Sequence, residues 1–176
     1  MGLFDKFKKK EDVQQIKTDE QRELENIVQQ NHAIFDNAFL GKRATVKEIL
    51  QAEQQLGVKI PAPFVWFLKE FGSGGYWFDF IGYTKNGKAQ FVEETFNQRK
   101  NGLPENFLVI EDCDEFYYCL DTSNGKIASW SQYDNDGVRY RFDNFYDFFR
   151  DNLENAIENF LMHIYFKKEL NLYVTT

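Results

Sequence analysis

Cysteine, proline and histidine are scarce in this chain: two, three and two, respectively, among 176 residues. Cys113 and Cys119 form no CxxC pair and are too few for a disulfide framework, so a reducing, cytoplasmic setting is expected. The histidines, His32 and His163, fall inside expected helices with no serine, cysteine or metal-ligand set patterned around them. Nucleophilic catalysis needs a positioned base, so no catalytic residue is assigned. No metal ligand and no cofactor is assigned either. No apolar run approaches the roughly 20 residues of a membrane helix, and no signal-peptide core is visible, so stable membrane insertion is not expected. Positive charge is also short. Lys and Arg number 21 against 28 Asp and Glu, a net charge of -7. That balance disfavours sequence-independent binding to nucleic acid and favours a cationic partner.

Apolar residues, by contrast, are plentiful: 43% are hydrophobic and 18% aromatic, with 19 Phe, enough for one ring-rich core at this length. Residues 1–17 read as a flexible basic tail, with Leu3, Phe4 and Phe7 set among Lys6, Lys8, Lys9 and Lys10. Residues 18–176 read as a single domain. Leu24, Ile27, Val28, Ile34, Phe35 and Phe39 give residues 18–40 the period of one long amphipathic helix. The rest of the chain is organised around the stretch 45–75. Thr45 and Glu48 spell a capping box, and Val46, Ile49, Leu50 and Leu56 share one helical face. Gly57 can close that helix, and Pro61 biases the approach to the next one toward extended backbone. Phe64, Val65, Phe67, Leu68 and Phe71 make the second helix apolar nearly all round, hence buried. Gly72, Gly74 and Gly75 end it; the Lys-Ser/Thr of a phosphate loop is missing.

Strand chemistry dominates next. Residues 76–83 and 88–91 read as a hairpin about Asn86-Gly87, followed by a short helix over 93–100. Residues 107–110, 116–121 and 127–131 read as three strands joined by short turns, and 139–142 as a fourth, which implies antiparallel pairing. The closing helix places Phe145, Phe148, Phe149, Leu153, Ala156, Ile157, Phe160, Leu161 and Ile164 on one face, with Asp143 as its N-cap. The expected fold is therefore α+β: a central, mostly antiparallel sheet with N-terminal helices and a long C-terminal helix packed on it.

The Leu56-Gly57-x-x-Ile60-Pro61 run, the aromatic helix behind it and the Gly-Gly exit resemble the opening of the SUKH superfamily. Leu108-Val109-Ile110, Tyr117-Tyr118-Cys119-Leu120-Asp121 and Gly125-Lys126-Ile127 resemble its central strands, and residues 143–158 its closing helix. The likeness covers about residues 45–158. One departure is Gly72-Ser73-Gly74-Gly75, where that family often has Asn-Gly-Gly. The resemblance implies an immunity protein that binds and neutralises a cognate toxin, a nuclease or other nucleic-acid-acting protein, without catalysis. A regulatory scaffold of the cell-wall type is the first alternative, which the short chain without long flanks disfavours. A small hydrolase or metal-dependent enzyme is the remaining alternative, and the missing His/Cys constellation weighs against it.

Two acidic patterns bear on where a partner would sit. Gln132-x-Asp134-x-Asp136-Gly137 followed by Asp143 looks like a calcium loop with both ends wrong, and ordinary turn chemistry explains it better. Between Leu103 and Asp121 stand Glu105, Glu111, Asp112, Asp114, Glu115 and Asp121, with no Lys or Arg among them. A charge run is usually a solvated face. Here aromatic residues adjoin it, so the expected partner surface takes charge from Asp112, Asp114, Glu115, Asp134 and Asp136, and packing area from Tyr117, Trp130 and Tyr133.

Overall fold

The computed structural model describes residues 17–134 and 137–174. The expected basic tail lies outside these, save Lys17, whose Nζ pairs with Glu25 at 2.7 Å and Glu70 at 3.0 Å. Thr18 opens α1 (Asp19–Gln30) with a capping box closed by Gln21. Where a single long helix was expected, Asn31 breaks it. Asn31 leaves helical geometry (φ -109, ψ 38) and its amide donates to the Ile27 carbonyl at 2.8 Å, so α2 (His32–Phe35) starts afresh.

The capping box of Thr45 and Glu48 starts α3 (Val46–Leu56), and Gly57 closes it at φ 71. Its buried face is Ile49, Ala52 and Leu56, whereas Val46 and Leu50 stay exposed. The apolar arc is wider than the surface available to cover it. Pro61 precedes α4 (Ala62–Glu70), which buries Phe64, Trp66, Phe67 and Leu68. Phe67 is the hub: its ring centre lies 5.3 to 5.6 Å from those of Phe71, Phe80, Phe145 and Phe149. Such aromatic pairs each contribute about 1 kcal/mol beyond simple area burial.

The expected hairpin over residues 76–91 shrinks to its turn, closed by the Thr84 N–H on the Lys88 carbonyl at 2.9 Å, and its long strands do not form. Only isolated bridges occur there, Gly74 with Phe80, Phe80 with Glu111 and Tyr83 with Ala89. Trp77 and Asp79 are exposed between the buried Phe78 and Phe80, and from Phe80 to Tyr83 every residue is buried, so the end of the segment threads the interior. The approach is close: a Cβ on Gly82 would stand 1.9 Å from the Gly72 carbonyl oxygen. Gly72 itself takes φ 82 beside the Lys42 carbonyl, a conformation open chiefly to glycine. Asn86-Gly87 does turn the chain, but it delivers α5 (Gln90–Lys100) rather than a strand.

Four antiparallel strands come next, in order across one sheet: β1 (Phe107–Asp112), β2 (Tyr117–Asp121), β3 (Ile127–Trp130) and β4 (Arg139–Phe142). α5 packs against β1, where the Thr95 hydroxyl accepts a bond from the Val109 N–H at 2.9 Å. One face of the sheet receives α6 (Phe145–Val174), with Phe148 against Tyr118 and Phe142 at 4.7 and 5.0 Å between ring centres. The cap of α6 is Asn144, whose Oδ1 accepts from the Asp147 N–H at 3.0 Å; Asp143, expected there, pairs with Lys126 instead. Phe145, Phe148, Phe149, Leu153 and Ala156 are buried as expected, but Leu161 is exposed beside Met162, Tyr165 and Phe166. The helix outruns the body it packs on. Among the described residues, no helix is long and apolar enough to cross a membrane.

Candidate functional site

The β1–β2 turn is built by local hydrogen bonds that leave its charges outward. The Asp114 N–H donates to Asp112 Oδ1 at 3.0 Å, and the Cys113 N–H reaches across to the Phe116 carbonyl at 2.9 Å. Asp114 takes φ 62, which aspartate tolerates better than most residues. Asp112, Asp114 and Glu115 are exposed at this tip. Between them the Cys113 thiol is pushed up to about 12 by burial, with Glu111, Asp112 and Asp114 adding to the rise, so it is a poor nucleophile.

The other carboxylates of the run have different duties. Glu105 pairs with Arg99 at 3.0 Å. Asp121 is buried and accepts bonds from Asn106, Ser123, Asn124 and Tyr140, the last at 2.6 Å. Burial alone would raise its pKa; these donors outweigh it and hold the carboxyl below the usual range. Glu111 is only 6% exposed, accepts one bond from the Asp79 N–H at 3.2 Å, and leaves Oε2 without a partner. Burial pushes its pKa up to about 7, with the nearby Asp79 charge adding to the rise and the Asp79 N–H opposing it.

Beside the acidic tip, on the sheet face that carries Tyr118 and Phe142, a groove of about 600 Å³ opens where α6 leaves the sheet uncovered. Glu115, Trp130, Tyr133 and Asp134 all line it. Tyr133 is 84% exposed, whereas Trp130 is buried at the groove's margin. Asp112 and Asp114 stand outside the lining, at the hairpin tip. Tyr117 alternates with Tyr118 and so points to the other side of the sheet, where its hydroxyl accepts from Gln98 at 3.0 Å. Its ring lies 6.3 Å from that of Trp130, its register partner on β3. Asp136 lies outside the described residues.

Two arginines absent from the expected partner surface complete the groove. Arg139 donates to Asp134 Oδ1 at 3.1 Å. Arg141 donates through Nε to the Ser129 hydroxyl at 2.9 Å. Both come from β4 and share a face as alternate residues. A register irregularity opposite Ile127 and Ala128 brings Phe142 into the same lining. The alternation Arg139-Tyr140-Arg141 was the available signal, but it does not say which side of the sheet the arginines take. The groove is therefore of mixed charge, with Glu115 and Asp134, the latter bonded to Arg139, lining it together with Arg139 and Arg141. Among the described residues no cluster of three His, Cys, Asp or Glu side chains could hold a metal ion.

The profile of the SUKH_5 family, described as SMI1-KNR4 cell-wall, matches residues 24–154. That span runs from α1 through the whole sheet into the first half of α6. Among solved structures, the "crystal structure of protein from Pseudomonas syringae pv. tomato" superposes with a TM-score of 0.58 at 20% identity. The match covers 74% of this chain and 98% of that one, and at such identity it speaks to the fold. With helices flanking a four-stranded antiparallel sheet and a family match over most of its length, the chain belongs to the SUKH superfamily, in its SMI1-KNR4 group.

Proposed function

We propose that this chain is an immunity protein: it binds a cognate protein toxin in the cytoplasm and blocks it by covering its working surface, with no catalysis of its own. The observation carrying this reading is the acidic hairpin tip of Asp112, Asp114 and Glu115 standing beside a groove lined by Trp130 and Tyr133. A nuclease or another toxin acting on nucleic acid presents a basic substrate cleft. An acidic tip steers toward such a cleft and competes with phosphate there. Asp134, and Asp136 two residues on, add to the charge, and Tyr133, bare at the groove's rim, supplies ring area once water is expelled. The family's cell-wall description supports a second reading, a regulatory scaffold that holds other proteins without inhibiting them.

The test is charge reversal at the tip, Asp112→Lys, Asp114→Lys and Glu115→Lys together. The probe is the C-terminal domain of a large secreted protein encoded beside this gene. Calorimetric affinity should fall at least about tenfold and its salt dependence should flatten. Unchanged affinity with an unchanged salt slope would remove the tip from the interface. Tight binding that leaves the probe's nuclease activity intact would favour the scaffold.

A further inference from the structure

A second groove, of about 520 Å³, lies between the start of α1, one face of α4 and the first turn of α6. Its floor is apolar. Ile60 and Trp66 are buried there, Val65 and Tyr146 are half-buried, and the Trp66 and Tyr146 rings meet edge to face at 5.5 Å. Ala62, Val65 and Lys69 follow one another at three- and four-residue spacing, which sets them in a single row along α4. Gln21 closes one end by donating to the Tyr146 hydroxyl at 2.7 Å. On the rim Lys17 is held by Glu25 and Glu70, and Glu25 also accepts the Trp66 Nε1–H at 3.0 Å. Lys69 differs: half-buried in the same lining, it forms no ion pair among the described residues.

The described chain starts at this groove, because Lys17 is part of its lining. Ile16 is therefore one peptide step away, about 3.8 Å between Cα atoms, and Asp12 is five steps away, within about 18 Å at full stretch. Val13 and Ile16 stand three apart, so they share a face both in a helical turn and in a three-residue extended helix. Just ahead of them come Glu11 and Asp12, the only carboxylates between Asp5 and Lys17. The apolar pair matches the floor, and the acidic pair matches Lys69. We infer that residues 11–16 form a strap seated in this groove, with Val13 and Ile16 on Val65, Trp66 and Tyr146, and the Asp12 carboxylate on Lys69. Tethering makes the encounter intramolecular, so a contact too weak to hold a separate peptide suffices for an attached one. The strap fixes the point from which the basic run Lys6 to Lys10 departs and leaves only residues 1–10 of the expected tail to meet a partner. It uses no residue of the acidic tip or its groove, so it stands or falls apart from the immunity role.

The experiment uses the full chain, isotope-labelled for NMR, with a separate peptide of residues 6–17 as the coil reference. The methyl protons of Val13 and Ile16 should show nuclear Overhauser contacts to the Trp66 and Tyr146 rings. The amides of residues 13–16 should exchange with solvent at least about tenfold more slowly than in the peptide. Val13→Asp with Ile16→Asp should return them to the peptide rates while the amides of Leu108 and Leu153 keep theirs, which separates loss of the strap from loss of the fold. Asp12→Lys and Lys69→Glu should each speed the exchange of residues 13–16 about threefold, and the two together should restore it. Peptide-like rates in the wild type, no contact to either ring, or contacts from Val13 and Ile16 to another surface would each overturn the inference. So would contacts seen only between a labelled and an unlabelled chain, which would assign the groove to the tail of a second copy. Charge variants without effect would overturn the Lys69 contact.

Discussion

Glu111 offers the most quantitative test of the packing. In the unfolded chain a glutamate titrates near its ordinary value of 4.5, whereas in the folded protein burial lifts it to about 7. The folded state therefore holds the extra proton between those values. Its stability is fully present below about pH 4.5 and is lost as pH rises through about 7. The shift corresponds to about 3 kcal/mol at most. Glu111→Gln keeps the oxygen that accepts from the Asp79 N–H and removes the buried charge. Its unpaired amide repeats the orphan oxygen already present, so about 2 kcal/mol of net stabilisation is expected above neutral pH, and little below about pH 5. Urea denaturation followed by circular dichroism, from about pH 5 to about pH 8, measures this directly. Wild type should weaken across that range, and the variant should stay level. If wild-type stability is flat or rises with pH, or the variant keeps the wild-type slope, then Glu111 is not a buried, half-satisfied carboxylate.

Two further perturbations address the scaffold. Gly82→Ala puts a methyl group against the Gly72 carbonyl and should destabilise the chain by more than about 2 kcal/mol, lowering its thermal midpoint or abolishing soluble expression; an unchanged midpoint would contradict the threading of residues 80–83. Thr45→Ala removes the side-chain acceptor of the α3 capping box and should cost about 1 kcal/mol by chemical denaturation.

Much of the fold was legible because the relevant signals are local. Thr45, Glu48 and Gly57 specify the ends of α3 through groups no more than a few residues apart. The four strands lie where short apolar runs alternate with turns, and β4 matches its expected bounds. The errors fall where a distant contact decides. Asn31 is the exception, a local one: it interrupts an otherwise periodic stretch, and its bond to Ile27, four residues back, stops the helix without disturbing the apolar spacing. Asn86-Gly87 turns as its chemistry dictates, yet the preceding residues are drawn inward by Phe67, Phe145 and Phe149, which no local pattern reveals. Asp143 is a good capping residue in isolation; Lys126, on the neighbouring turn, claims it. For the candidate site, the acidic tip and the aromatic lining could be named from sequence. Arg141 could not, because alternation pairs it with Arg139 without choosing a face.

The three indoles of this chain occupy three unlike settings: Trp66 inside the ring cluster, Trp77 about two-thirds bare at a loop, and Trp130 at the groove's margin. Their emission should differ in colour and in access to a dissolved quencher such as iodide. Replacing Trp66 and Trp77 by phenylalanine would leave one native lamp, buried on the sheet just behind the groove. The protein would then report its own occupancy by light, with no attached dye.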